Sequence, residues 1–171
     1  MSWLNDDLST AVAAIWGDLL ATVPPEQVHP GLSASTREFL TTVGLPTVDV
    51  GSFAPLPDGG VLGSMHVADR EYVPVVNGVP EDFRFAVDVG SDEVCCLFDG
   101  MAEVFLANSN LGLFVMFVGR VYRDLWQLAE PDEESMSSAV GAIVESLITL
   151  DPRALDTGTW WATFLDQALE I

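Results

Sequence analysis

Lysine is absent from this chain of 171 residues. Its six positive side chains are all arginine (Arg37, Arg70, Arg84, Arg120, Arg123 and Arg153) and stand against 26 Asp and Glu, a formal net charge of -20. A surface of that sign repels phosphate backbones, which argues against direct nucleic-acid binding. Anionic membranes are disfavoured for the same reason. Two readings of the charge stay open on composition alone. It keeps an apolar protein in solution, or it draws in a basic partner.

Other scarcities close off further chemistry. His29 and His66 are the only histidines, and neither has the Cys or carboxylate spacing of a zinc site. Cys95 and Cys96 are the only cysteines, and neighbours on a strand point to opposite faces, so they neither pair easily nor share one metal. A reducing compartment is therefore expected. No glycine-rich phosphate loop or dinucleotide fingerprint appears. Gly31 to Ser35 has the look of a nucleophile elbow, but it lacks the second glycine and a preceding strand. The longest apolar window, Leu111 to Val118, is eight residues, well short of the roughly 20 needed to span a bilayer. The first residues, Met-Ser-Trp-Leu-Asn-Asp-Asp, lack the basic region of a signal peptide. The expectation is a cytoplasmic protein with no catalytic residues, no metal and no cofactor.

What is present points to a packed domain. An apolar fraction of 49% rules against disorder, which needs low hydrophobicity as well as high charge. One domain over residues 1–171 is the simplest division at this length. Arginine without lysine, with abundant Ala, Val and Gly, points to a GC-rich bacterial genome.

Leu4, Leu8, Val12, Ile15, Trp16, Leu19 and Leu20 recur at helical spacing. Asn5 to Asp7 open that helix and Pro24-Pro25 are expected to end it. Ser33 or Ser35 caps a second helix around Arg37 to Leu40, with Gly44 as its C′ residue and Pro46 beyond. From Thr47 the period becomes strand-like. Val61 to Val67 and Tyr72 to Val76 are expected strands, the latter an edge or an irregular segment because of Pro74. Asn77-Gly78 is read as a tight turn.

The stretch from Phe83 to Leu128 is the most regular. Phe83, Phe85, Val87 and Val89 alternate with polar residues and Ala86, which predicts a half-buried strand with one polar face. Val94 to Phe98 is apolar on both faces, as in a central strand. Asp99-Gly100 turns the chain into Val104 to Ala107. Short connections favour an antiparallel meander. Asn108 or Ser109 is the expected cap of an apolar helix starting near Leu111. Glu130 to Glu134 open a further helix, and Trp160, Trp161, Phe164, Leu165 and Leu169 form an aromatic terminal one. The fold class expected is α+β, a mainly antiparallel β-meander packed by helices from both chain ends.

Thr36-Arg37-Glu38-Phe39-Leu40 running into Val43-Gly44-Leu45-Pro46, then Phe85 to Gly90, Val94 to Gly100, Val104-Phe105, and Ala107-Asn108-Ser109-Asn110-Leu111 followed by Phe114 and Tyr122, resemble the SUKH superfamily of immunity proteins. Asn110 stands where the family's Asn-Ser-Ser-Leu-like motif has its second Ser, and Cys96 to Gly100 is an atypical strand and turn. The resemblance covers residues 36 to 128. It implies an α+β fold with no catalytic motif, and a protein that binds and neutralises a bacterial toxin, often a nuclease, encoded beside it. Some relatives are instead regulators or scaffolds, the alternative reading; a hydrolase using buried carboxylates is a third.

The resemblance and the charge meet in one expectation. A nuclease toxin carries a basic groove for phosphates, and an acidic inhibitor is drawn to it. The partner expected is thus a basic toxin domain, with neither nucleic acid nor membrane. Its candidate contacts are the carboxylates around the meander, Asp82, Asp88, Asp92, Glu93, Asp99 and Glu103. Any one of them is also an ordinary polar-face residue.

Overall fold

A computed structural model describes residues 2–57, 59–128 and 132–169. The first helix, α1 (Asp6–Trp16), is capped by Asn5, whose side chain accepts from the Leu8 N–H at 2.8 Å. It stops at Gly17, whose φ of 56° and ψ of -128° suit glycine best. Pro24-Pro25 therefore do not end the helix as expected. They lie beyond a 3-10 turn and a short strand β1 (Leu20–Ala21), which pairs antiparallel with β2 (Leu45–Pro46).

Between them runs α2 (Ala34–Thr42), capped by Ser33 Oγ on the Thr36 N–H. Gly44 follows at φ 95°, with its N–H returning to the Phe39 carbonyl at 2.9 Å. A Cβ there would stand 2.1 Å from the Ala21 carbonyl oxygen, so only glycine lets α2 turn tightly against β1.

The main sheet has the order β3 (Phe53–Ala54), β5 (Arg70–Gly78), β6 (Phe83–Asp88), β7 (Val94–Phe98), β8 (Val104–Asn108), with β4 (Met65–Val67) pairing β5 beside β3. Every pairing is antiparallel. Here the structure corrects two sequence-based expectations and bears out a third, the irregular segment at Pro74. The register to β6 shifts between Pro74 and Val76, and on the other side β4 covers only Arg70–Tyr72 and β3 only Asn77–Gly78. The proline thus sits where neither of them pairs, although β5 as a whole has neighbours on both sides. Asn77-Gly78 is strand rather than turn, opposite Ala54 and Phe53. The strand placed at Val61 to Val67 shrinks to Met65–Val67, with Val61 making only an isolated bridge to Val28.

Helices cover one face of the sheet. Phe53, Phe85, Val87, Val94 and Cys96 pack there against α3 (Leu111–Val121), nine of whose eleven residues are buried. The other face is not polar as the alternation implied. Tyr72, Ala86, Cys95 and Leu97 form a smaller buried cluster on it, flanked by Met65, Val67 and Val104. Ala86 broke the polar series, and β4, paired with β5 in the same sheet, adds Met65 and Val67 to that face.

After α3 comes one wide π-helical turn, Tyr122–Trp126. The helix expected from Glu130 is α4 (Glu133–Leu150), with Asp132 accepting from the Ser135 N–H at 2.7 Å; residues 129–131 lie outside the described residues. A 3-10 turn (Pro152–Leu155) leads to α5 (Trp160–Leu169).

Helices α1 and α3 approach closely. The Trp16 indole N–H donates to the Val115 carbonyl at 2.9 Å, and its ring stacks on Tyr122 at 5.5 Å. A Cβ at Gly119 would fall 2.5 Å from Ile15 Cγ2 and 2.6 Å from Trp16 Nε1. Gly119→Leu should therefore destabilise by about 3 kcal/mol through overpacking. Gly141→Ala, at an exposed α4 position with nothing within 4 Å, should stabilise by up to about 1 kcal/mol through helix propensity. Urea denaturation of the two variants distinguishes contact from propensity.

Candidate functional site

The motif residues Asn108, Ser109 and Asn110 come first, because the structure assigns them structural work. Asn108, expected as a cap, ends β8 and is fully buried. Its Oδ1 accepts from the Trp161 indole N–H at 2.7 Å, and its Nδ2 donates to Asp151 Oδ2 at 2.9 Å. Ser109 also faces Asp151, through its backbone N–H at 2.9 Å and its hydroxyl at 2.5 Å. The helix cap is Asn110, which accepts from the Leu113 N–H at 2.9 Å. The chain is one residue longer in its strand than the sequence implied, because β8 keeps pairing as far as Asn108 opposite Val94. Asp151 and Trp161 were not singled out with these motif residues. The one local signal was an Asp before Pro, Asp151-Pro152, which marks the start of a turn or short helix.

The six candidate carboxylates split between opposite ends of the sheet. Asp88, Asp92 and Glu93 lie at the β6–β7 turn and all have internal partners. Asp88 is 1% exposed. Its Oδ1 accepts from the Gly90 and Ser91 N–H groups at 2.8 and 3.3 Å, and its Oδ2 sits 2.8 Å from Arg70 Nη2. Asp92 takes a positive φ of 67° and collects three donors: the Trp3 indole, Ser33 Oγ at 2.8 Å and Thr36 Oγ1 at 2.6 Å. It thereby ties the N-terminal segment and the α2 cap to the turn. Glu93 pairs with Arg153 at 2.6 Å, which brings the segment before α5 to the same place.

Asp82, Asp99 and Glu103 lie at the other end and are exposed, as is Glu81. Register brings them together: Phe83 faces Phe98, and Leu97 faces Val104, so residues just before β6, after β7 and before β8 share one sheet end. The Asp99 N–H donates to the Asp82 carbonyl at 2.8 Å, and Asp99 also pairs with Arg84 at 2.8 Å.

Arg70, Arg84, Arg120, Arg123 and Arg153 each pair with a carboxylate of this chain, to Asp88, Asp99, Asp124, Asp124 and Glu93 respectively. Five of the six arginines are thus matched internally, and Arg37 is exposed.

Beside the exposed acidic end is an open groove of about 400 Å³, lined by Val79, Phe83, Phe98, Phe105, Trp160 and Phe164 among others. It opens where α5 leaves the sheet's helix-covered face incompletely roofed. Sequence alternation marked the phenylalanines as inward-facing but not where the covering helix would lie.

Burial pushes both cysteine thiols up to about 12. Among the described residues, no three His, Cys, Asp or Glu side chains are grouped to hold a metal ion, and no helix is long and apolar enough to cross a membrane.

Comparison with known proteins adds one finding. The model of a family described as SUKH-4 immunity protein matches residues 8–167. No curated protein and no solved structure matches the chain.

Two measurements check this geometry. Asp151→Ala strands the Asn108 amide and the Ser109 N–H in the interior, and should cost about 3 kcal/mol in chemical denaturation. Cys95 and Cys96, kept as thiols by burial, should resist Ellman's reagent at pH 8 in the native chain and both react in denaturant. Fast native labelling of either one would contradict its placement.

Proposed function

The chain belongs to the SUKH-4 immunity protein family, and from that membership we propose that it binds and neutralises a cognate bacterial toxin through its exposed carboxylates. The reading extends to a single domain over residues 1–171 acting in the cytoplasm, on a basic toxin with nuclease activity. The observation that carries it is the distribution of charge. Five arginines are already paired within the chain, so a net charge of -20 is expressed at the surface with little to interrupt it. A nuclease needs cationic side chains to hold phosphates, and such a groove is the natural counterpart of this surface.

Exposure favours Asp82, Asp99 and Glu103 as the contacts, with Asp99 shared with Arg84. Asp88, Asp92 and Glu93 support the fold, and reversing their charge would test folding before binding. Hydrolysis by buried carboxylates gains no support. Asp88 and Asp151, the two buried carboxylates among the described residues, are both engaged by backbone N–H groups.

Co-expression with the toxin domain encoded beside this gene tests the reading directly. Restored growth together with a stable complex is the expected outcome. A complex without rescue would favour the scaffold alternative, and neither would sink the immunity reading. Asp82→Arg combined with Glu103→Arg should slow association about tenfold at low salt, with the difference shrinking as salt rises. Stopped-flow mixing measures it.

A further inference from the structure

We propose that the partner docks at the β6–β7–β8 end of the sheet by inserting a large apolar side chain, flanked by arginine or lysine, into the groove between Phe83, Phe98, Phe105 and Phe164. This rests on the immunity reading for the partner's identity, but the groove's chemistry stands by itself. Its floor is aromatic and its volume of about 400 Å³ exceeds what one bulky side chain fills. Phe98 and Phe105 meet edge-to-face at 5.7 Å, and Phe83 lies 5.4 Å from Phe98, so the floor is a continuous aromatic surface. Val79, 44% exposed, forms one wall.

Charge decides what enters. No basic residue lines the groove. Glu81 and Asp82 immediately precede Phe83, Asp99 follows Phe98, and Glu103 is two residues before Phe105. Carboxylates so near in the chain lie within about a Debye length, roughly 10 Å, of the groove and act on whatever enters it. Arg84 offsets only Asp99, at 2.8 Å. An apolar anchor ringed by cations satisfies both features, since a buried anchor supplies most of the binding energy while the charged rim selects the partner. A second copy of this chain does not, because two such ends repel each other.

The test uses the intact isotope-labelled chain and two synthetic hexapeptides with blocked ends, Arg-Arg-Phe-Leu-Arg-Arg and Glu-Glu-Phe-Leu-Glu-Glu. The arginine peptide should shift amide signals at residues 79–83, 98–105 and 160–164, and the glutamate peptide should not. Val79→Ser and the pair Asp82→Lys with Glu103→Lys, all at exposed positions, should each weaken arginine-peptide binding about tenfold. Shifts elsewhere, equal binding of both peptides, or unchanged binding by the variants would overturn the proposal. So would a dimer in sedimentation that Val79→Ser dissolves. The two readings separate cleanly. If Val79→Ser with Glu103→Lys protects against the toxin as well as the parent chain, the groove fails and immunity stands. If the parent chain gives no protection while the peptide still fills the groove, immunity fails and the groove stands.

Discussion

The hydrogen-bonded chain from Trp161 through Asn108 to Asp151 is the constraint on which the helical half of this molecule depends. All three residues are essentially buried. A buried indole N–H, a buried amide and a buried carboxylate each cost a great deal if left unpaired, so they must find one another. In doing so they join the last residue of β8, the C-terminal end of α4 and the first turn of α5. Ser109 adds two more donors to the same carboxylate, and Asn110 starts α3 on the next residue. Three consecutive polar residues thus set where three helices meet the sheet. A motif of that kind identifies a family by its architecture.

A comparable node lies beside it at the same end of the sheet, since Val94, next to Glu93, pairs with Asn108. Asp92 accepts from the Trp3 indole, Ser33 and Thr36, Glu93 holds Arg153, and Asp88 shapes the turn between them. The β6–β7 turn therefore gathers the N-terminal segment, the second helix and the segment leading to α5. Carboxylates committed to such a node are unavailable to a partner. The exposed end of the same strands has the reverse character. There the acids have few internal partners, and the aromatic side chains beneath them are only partly roofed. The sheet separates the two tasks by about the length of its strands.

Much of the architecture was legible from sequence because it follows from local rules. Gly44 after a nine-residue helix, period-two phenylalanines over β6 and the apolar run of β7 each named their element directly. The misreadings share a cause. Asn77-Gly78 and Asn108 were judged by intrinsic preference, and in both cases non-local pairing prevailed: β3 pairs with Asn77-Gly78, and β8 pairs on to Asn108. Of the candidate carboxylates, sequence supplied the set but not its division. Asp88 and Asp82 both flank the same strand, and only register and the position of Arg70 make one interior and the other free.

Composition and periodicity by themselves determined the sign of the net charge, the α+β class and the strand series, since each depends on residue type or on spacing along the chain. Tertiary structure alone decided which acids are committed to the fold, which arginines are already matched, and where aromatic side chains remain open to solvent. Those outcomes depend on distances between residues far apart in sequence, such as the 53 positions separating Trp161 from Asn108. No local pattern encodes them, because a side chain's surroundings are set by whichever distant segment folds against it.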